Sequence, residues 1–78
     1  MMANRDRELK NKFEYDAHFK QSTATVLVVA VLLPNGAIEV ITNTQYVSDK
    51  VKYYIEKYDE CFRLITNPMV KIVGYMLV

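Results

Sequence analysis

The fold is decided by residues 23–44, which read TATVLVVAVLLPNGAIEVITNT. An apolar run at residues 24–33 is followed by a turn and by a second apolar run at residues 37–42. Branching at Cβ favours extended backbone, and valine and isoleucine are frequent in both runs. Pro34 fits the first corner of a type I turn and Gly36 the positive-φ position after it, with a two-residue Asn-Gly turn as the alternative. The stretch therefore predicts a β-hairpin.

The first run is apolar on both faces of its strand, because side chains alternate between the faces and no charged residue occurs in the run. Residues 69–78, which read MVKIVGYMLV, form a final strand of the same kind with one charge, at Lys71. Strands that are apolar on both faces need cover on both faces. We therefore expect either that the sheet curls around itself or that its open face meets a partner.

Residues 12–20 alternate between polar and apolar side chains, which is typical of a half-buried strand. The apolar face of this predicted strand consists of Phe13, Tyr15, Ala17 and Phe19. A helix would group Leu9 with Phe13 and Ala17, but it would place Tyr15 and Phe19 on separate faces. We therefore predict an edge strand here, preceded by a flexible tail at residues 1–11.

Apolar side chains then recur at three- and four-residue spacing, which predicts a helix from Asp49 to Thr66. They are Val51, Tyr54, Ile55, Tyr58, Phe62 and Ile65. Ser48 or Asp49 is the expected N-cap, Asp59 and Arg63 form an expected i, i+4 ion pair, and Pro68 ends the helix. The resulting order, β-β-β-α-β, predicts a single α+β domain at residues 12–78. It is a two-layer sandwich in which one helix packs on one face of a four-stranded, largely antiparallel sheet.

Composition excludes several classes of function. The net charge of +1 over 78 residues is too small for a polycation that binds nucleic acid through phosphates alone. Two glycines cannot build a glycine-rich phosphate loop. The apolar runs are shorter than the roughly 20 residues that span a bilayer, so we expect no membrane association. A single cysteine fits a reducing compartment, and we expect a cytoplasmic protein.

Residues that could carry chemistry are few. His18 lies on the polar face of the predicted strand, and Cys61 lies at the margin of the apolar face of the helix. Glu56, Asp59 and Glu60 form an acidic cluster interleaved with basic residues, which is typical of a solvated surface. We predict no catalytic residue, no metal site and no cofactor, and hence no enzyme.

The candidate partner-binding residues lie on the helix and the last strand. Tyr53 is placed beside Lys57 and near the line of Leu64 on the outer side of the helix, and tyrosine is enriched at interfaces. The last strand contributes three further candidates, Lys71, Tyr75 and Leu77. Because 51% of the residues are apolar in so short a chain, we expect a protein partner, a second copy in a homodimer, or both. Binding of nucleic acid through lysines and tyrosines is the alternative.

In size and predicted plan the chain resembles the small single-domain proteins that phages and mobile elements encode to inhibit host or defence proteins, including anti-CRISPR proteins. This resemblance implies a viral inhibitor or adaptor without catalytic activity. Its contact would be an exposed sheet face or an edge strand, to which a partner can add backbone hydrogen bonds. A structural homodimer of another role is a further alternative.

Overall fold

The computed structural model describes residues 2–78, with side chains from Arg5 onward. The elements in chain order are α1 (Met2–Lys20), β1 (Leu27–Leu32), β2 (Ile38–Asn43), α2 (Val47–Lys57), β3 (Arg63–Leu64) and β4 (Asn67–Leu77). The strands pair antiparallel in one sheet, in the order β2-β1-β4-β3. The predicted α+β class with a four-stranded antiparallel sheet is therefore confirmed, with two helices instead of one.

The predicted hairpin is confirmed as β1 and β2, which pair from Leu27↔Asn43 to Leu32↔Ile38. The Gly36 amide donates to the Leu33 carbonyl at 2.9 Å, and this bond closes a turn with proline at its first corner. Gly36 has a φ of +88°, a conformation that glycine adopts without steric cost. The loop therefore has three residues and is not the two-residue Asn-Gly turn.

The strand predicted at residues 12–20 is wrong, because these residues form the second half of α1. The predicted end of the tail at residue 11 falls inside the same helix. The side of α1 that packs on the core consists of Leu9, Phe13 and Ala17. Tyr15 and Phe19, which were expected in the core, are exposed and stack edge to face with centroids 4.9 Å apart. The sequence fits both the two-residue spacing of a strand and the four-residue spacing of a helix. In the structure, the residues spaced by four pack on the core.

The ends of α2 also differ from the prediction. The helix begins at Val47, and Tyr46 occupies the N-cap in a left-handed conformation without a side-chain cap bond, so Ser48 and Asp49 are not the cap. The helix ends at Lys57, well before Thr66.

A turn stabilised by Asp59 follows α2. The Asp59 carboxylate accepts hydrogen bonds from the backbone amides of Cys61 and Arg63, at 2.8 and 3.0 Å. Such a bond from a short polar side chain competes with helical hydrogen bonding. The predicted ion pair between Asp59 and the Arg63 side chain is therefore replaced by a bond to the Arg63 backbone. Phe62 adopts a φ of +60° in this turn, and its side chain is fully buried.

The last predicted strand is confirmed as β4, which begins two residues earlier than expected, at Asn67. β4 pairs with β1 along one edge, with a bulge at Val73 between Ala30↔Gly74 and Val31↔Ile72. Near its start it also pairs with β3, a two-residue strand inside the predicted helix.

Both helices lie on the same face of the sheet. One hydrophobic cluster contains the buried residues of α1, α2 and alternate positions of β1, namely Leu27, Val29 and Val31. Phe13 of α1 contacts Phe62 and Tyr75, with ring centroids 5.4 and 5.0 Å away. The expected two-layer arrangement therefore holds, and its helical layer contains two helices instead of one.

Lys10 joins the two helices. Its side chain is buried, and its ammonium donates to the carbonyls of Ile55, Tyr58 and Asp59 at 3.2, 2.9 and 3.1 Å. These carbonyls belong to the end of α2 and the residues just after it, where backbone acceptors lack helical partners and the helix dipole favours a cation. The Glu14 carboxylate lies 3.8 Å from the same ammonium. All three donors of Lys10 are thus used in fixing α1 against α2.

We expect Lys10→Met to lower the free energy of unfolding by roughly 2–3 kcal/mol, because it leaves buried carbonyls without donors. Urea denaturation followed by circular dichroism measures the change. Lys12→Met, at an exposed position of the same helix, is the matched control and should change stability by less than about 0.5 kcal/mol. Equal stability of the two variants would contradict the role given to Lys10.

Phe62→Ala and Tyr58→Ala should each cost roughly 3–5 kcal/mol, because each removes a large buried ring from the core. A domain of this size has about that much stability in total, so both variants should be largely unfolded at 25 °C. Tyr53→Ala removes an exposed ring and should leave the thermal midpoint nearly unchanged. Unfolding of Tyr53→Ala would show that the orientation of α2 is wrong.

Candidate functional site

The face of the sheet opposite the helices is made by alternate residues of β1, β2 and the end of β4. The strand register and the backbone bonds between Val26 and Val78 place the following side chains on it. We call them the open face: Val26, Val28, Ala30, Leu32, Ile38, Val40, Thr42, Gly74, Met76 and Val78. Thr42 is the one polar side chain in this set, and none carries a charge. Lys71 pairs with Leu32 in the strand register, but its ammonium contacts Asp6 of α1, so it is not counted in the open face.

The open face is exposed to solvent. Relative exposures are 59% for Ile38, 63% for Val40, 52% for Met76 and 61% for Val78. The side chains of the central strand are half-buried between the neighbouring strands. The sequence predicted either that the sheet curls around itself or that it has an open face for a partner. Within residues 2–78, the sheet has an open face. Exposed apolar surface costs about 25 cal/mol per Å², and large patches of it mark interaction sites.

Three of the predicted partner-binding residues, Tyr53, Lys57 and Leu64, come together in a second place. They line a shallow groove of about 310 Å³ with Ile65 and neighbouring residues. The groove forms because the chain turns back after α2, so that the Ile65 amide donates to the Lys57 carbonyl at 3.0 Å. Leu64 therefore lies on β3 beside the helix and not on the helix itself.

The other three candidates lie in the contact between α1 and β4. The Lys71 ammonium is 3.3 Å from the Asp6 carboxylate, and both side chains are largely buried. Leu77 is a core residue, and its carbonyl accepts a hydrogen bond from the Lys20 ammonium at 3.0 Å. These contacts hold the side chains of Lys71 and Leu77 inside the chain.

Tyr75 packs against Phe13, and its hydroxyl donates to the Asp16 carboxylate. Burial raises the pKa of the Tyr75 hydroxyl, and the hydrogen bond to Asp16 and the charge of that carboxylate raise it further. The hydroxyl is therefore held in its protonated, donating form. Tyr75 ties α1 to β4, as Lys10 ties α1 to α2.

The residues considered for chemistry are dispersed. His18 is exposed on α1 and lines a cleft of about 390 Å³ between the two helices, with Glu14, Ser48 and Asp49 among its neighbours. Cys61 is half-buried as a free thiol in the turn after α2. The predicted acidic cluster does not persist as a unit: Asp59 binds backbone amides, Glu60 pairs with Arg7 at 3.5 Å, and Glu56 lines the groove.

The part of the chain that the structure describes contains no group of three or more histidine, cysteine or acidic side chains that could hold a metal ion. The aromatic residues of the predicted first strand, which were expected together in the core, are separated in the structure. Phe13 is in the core, while Tyr15 and Phe19 lie on the outer side of α1.

Two features of the structure were not predicted from the sequence. One is the buried position of Lys10, which stands next to Leu9 and three residues before Phe13, so the helical spacing of these apolar residues was the available signal. The other is the edge position of β2, which depends on strand order and has no local signal.

Comparison with protein-family models, with curated proteins and with solved structures found no match. Neither α1 nor α2 is long and apolar enough to cross a membrane, within the residues described.

Alkaline pH tests the Tyr75 contact. Because the pKa of Tyr75 is raised in the folded state, the unfolded chain loses this proton first as the pH rises. The free energy of unfolding is therefore unaffected below about pH 10. Above about pH 10, the Tyr75 hydroxyl lowers it by up to about 1.4 kcal/mol per pH unit. Tyr75→Phe removes the part of this loss of stability that the Tyr75 hydroxyl contributes. Its stability deficit relative to the unsubstituted protein, measured by urea denaturation, should therefore shrink between about pH 10 and about pH 11.5. A constant deficit would contradict the contact.

Proposed function

We propose that this chain is a small, non-enzymatic protein-binding module that acts as an inhibitor or adaptor in the cytoplasm. It binds a protein partner through the open face. A host or defence protein as the target, and a phage or mobile element as the source, are the setting that its size suggests. The apolar surface of the partner would replace the water that now covers Val40 and Met76.

The observation that carries this proposal is the one-sided covering of the sheet. Both helices pack on the face that contains Leu27, Val29 and Val31. The other face is as rich in branched aliphatic residues as the core, yet its outer members are more than half exposed. An exposed apolar surface of this kind lowers solubility, and a partner that covers it would explain why the sequence has it.

The absence of charge within the open face favours a protein over a nucleic acid. Nucleic-acid affinity depends on cations placed at phosphates, and no residue of the open face carries a charge. The core of a protein interface is by contrast depleted of charged residues and enriched in apolar ones. The groove at Tyr53 and Ile65 adds a second exposed apolar surface at the far end of α2.

A pair of matched substitutions tests this proposal. Met76→Lys places a charge on the open face, and Phe19→Lys places the same charge on the outer side of α1, at a residue of similar exposure. Each tagged variant is used to capture proteins from a lysate of the source cells, with mass spectrometry as the readout. We expect a protein captured by the unsubstituted chain and by Phe19→Lys to be reduced at least about tenfold with Met76→Lys, because an ammonium in an apolar contact costs more than 1.4 kcal/mol.

The opposite pattern, in which Phe19→Lys abolishes capture and Met76→Lys does not, would contradict the proposal and move the site to α1. Recovery of nucleic acid as the only bound species, lost at high salt, would establish the alternative function instead.

A further inference from the structure

β2 is an edge strand. It stands first in the order β2-β1-β4-β3, so one of its edges has no neighbouring strand within the described chain. Edge strands usually carry charged side chains (most often lysine), proline or a bulge, which prevent pairing with another chain. β2 carries one charge, at Glu39. The sequence of β2, IEVITN, has no lysine and no proline, and its pairing with β1 is continuous.

The backbone groups on the free edge can be identified from two observations. The Leu33 amide donates to the Ala37 carbonyl at 2.8 Å, and bonded pairs recur at every second residue of an antiparallel ladder. The bonded pairs of β1 and β2 are therefore Val31↔Glu39, Val29↔Ile41 and Leu27↔Asn43.

The other side of β1 agrees with this assignment. Val26 exchanges backbone hydrogen bonds with Val78, which directs the even-numbered residues of β1 toward β4 and leaves the odd-numbered ones for β2. It follows that Ile38, Val40 and Thr42 turn their amides and carbonyls outward. These residues present unpaired backbone groups at the edge and side chains on the open face.

We infer that a second copy of this chain pairs antiparallel with β2, with Val40 on the two-fold axis. In this register Val40 faces the partner's Val40, and Ile38 faces Thr42 of the partner subunit. All three outward-facing residues are then bonded. Each pair opposes β-branched side chains, which are the ones that pack best across strands.

Charge selects this register. Glu39 is the one charged residue of β2, and pairing about Val40 places it opposite the partner's Ile41. A register centred on Glu39 would set two carboxylates directly opposite each other, which is destabilising. A register centred on Ile41 would keep the carboxylates apart, but it would leave Ile38 without a bonded partner.

Pairing of this kind closes at two copies, because each copy uses its β2 edge once and the contact is self-complementary. The two-fold axis is perpendicular to the sheet, so the helices of both copies lie on one side and both open faces on the other. One open face covers roughly 14 Å by 20 Å, from three strands of about six residues. Two joined faces cover roughly 560 Å² in projection, which is about two thirds of the roughly 800 Å² per partner that a standard interface buries.

Cysteine cross-linking tests both the edge and the register. Cys61→Ser first removes the native thiol, which is the only one in the chain. Val40→Cys in that background should give a covalent dimer on mild oxidation, because directly opposite residues lie about 5.5 Å apart at Cα, within the range of a disulfide. Ile38→Cys should not, because the two copies of that residue would lie about 14 Å apart along the strands. Both side chains are exposed, so neither change should disturb the fold.

The unsubstituted protein should sediment as a dimer at micromolar concentration. Val40→Pro should sediment as a folded monomer, because it removes an outward amide without breaking a bond to β1. A monomeric native chain, a Val40→Cys variant that fails to cross-link, or cross-linking at Ile38 would each overturn the inference. The inference does not depend on what the open face binds. Met76 lies on β4, which β1 separates from β2, so Met76→Lys should leave the dimer intact.

Discussion

The contact on which the rest of the structure depends is the buried ammonium of Lys10 against the end of α2. A lysine is rarely buried, and here each of its donors meets a carbonyl of Ile55, Tyr58 or Asp59. The ammonium donates to backbone carbonyls that have no helical partner at the end of α2, and it fixes the distance between α1 and α2. Phe13 and Phe62 then meet beneath it in the core. The helical layer holds together through this polar contact as much as through its apolar packing.

A helical layer joined in this way has a direct consequence for the sheet. With Lys10 holding α1 beside α2, both helices occupy one face, and no helix among residues 2–78 remains for the other. The open face therefore stays in water although its composition is that of a core. The free edge of β2 adjoins the same surface, and Val40 belongs to both. The exposed apolar side chains support the proposal that a protein binds the open face. The unpaired backbone groups support the inference that a second copy binds the edge.

The hairpin and the last strand could be predicted because their signals are local: Pro34 and Gly36 set the turn, and β-branched residues set the strands. The two helices were harder for a physical reason. Residues 12–20 satisfy both a two-residue and a four-residue period, and the choice depends on Lys10 meeting carbonyls more than 40 residues away. The helix prediction continued past Lys57 because Phe62 keeps the helical spacing while its backbone is left-handed. Tyr53, Lys57 and Leu64 lie together in the groove, although Leu64 reaches it on β3 and not along the predicted helix. Strand order, and with it the edge position of β2, had no signal in the sequence.

The most direct test of the central claim, a sheet covered on one face only, is the solvent accessibility of methyl groups measured by NMR with a soluble paramagnetic probe. We predict strong relaxation enhancement for Val28, Val40 and Met76, and little for Val29 and Val51, in the isolated protein at every concentration, because pairing at the β2 edge leaves the open face in water. Protection of Val28 and Met76 to the level of Val29 would contradict the account. It would mean that the open face is already covered, by the chain itself or by a second copy stacked face to face.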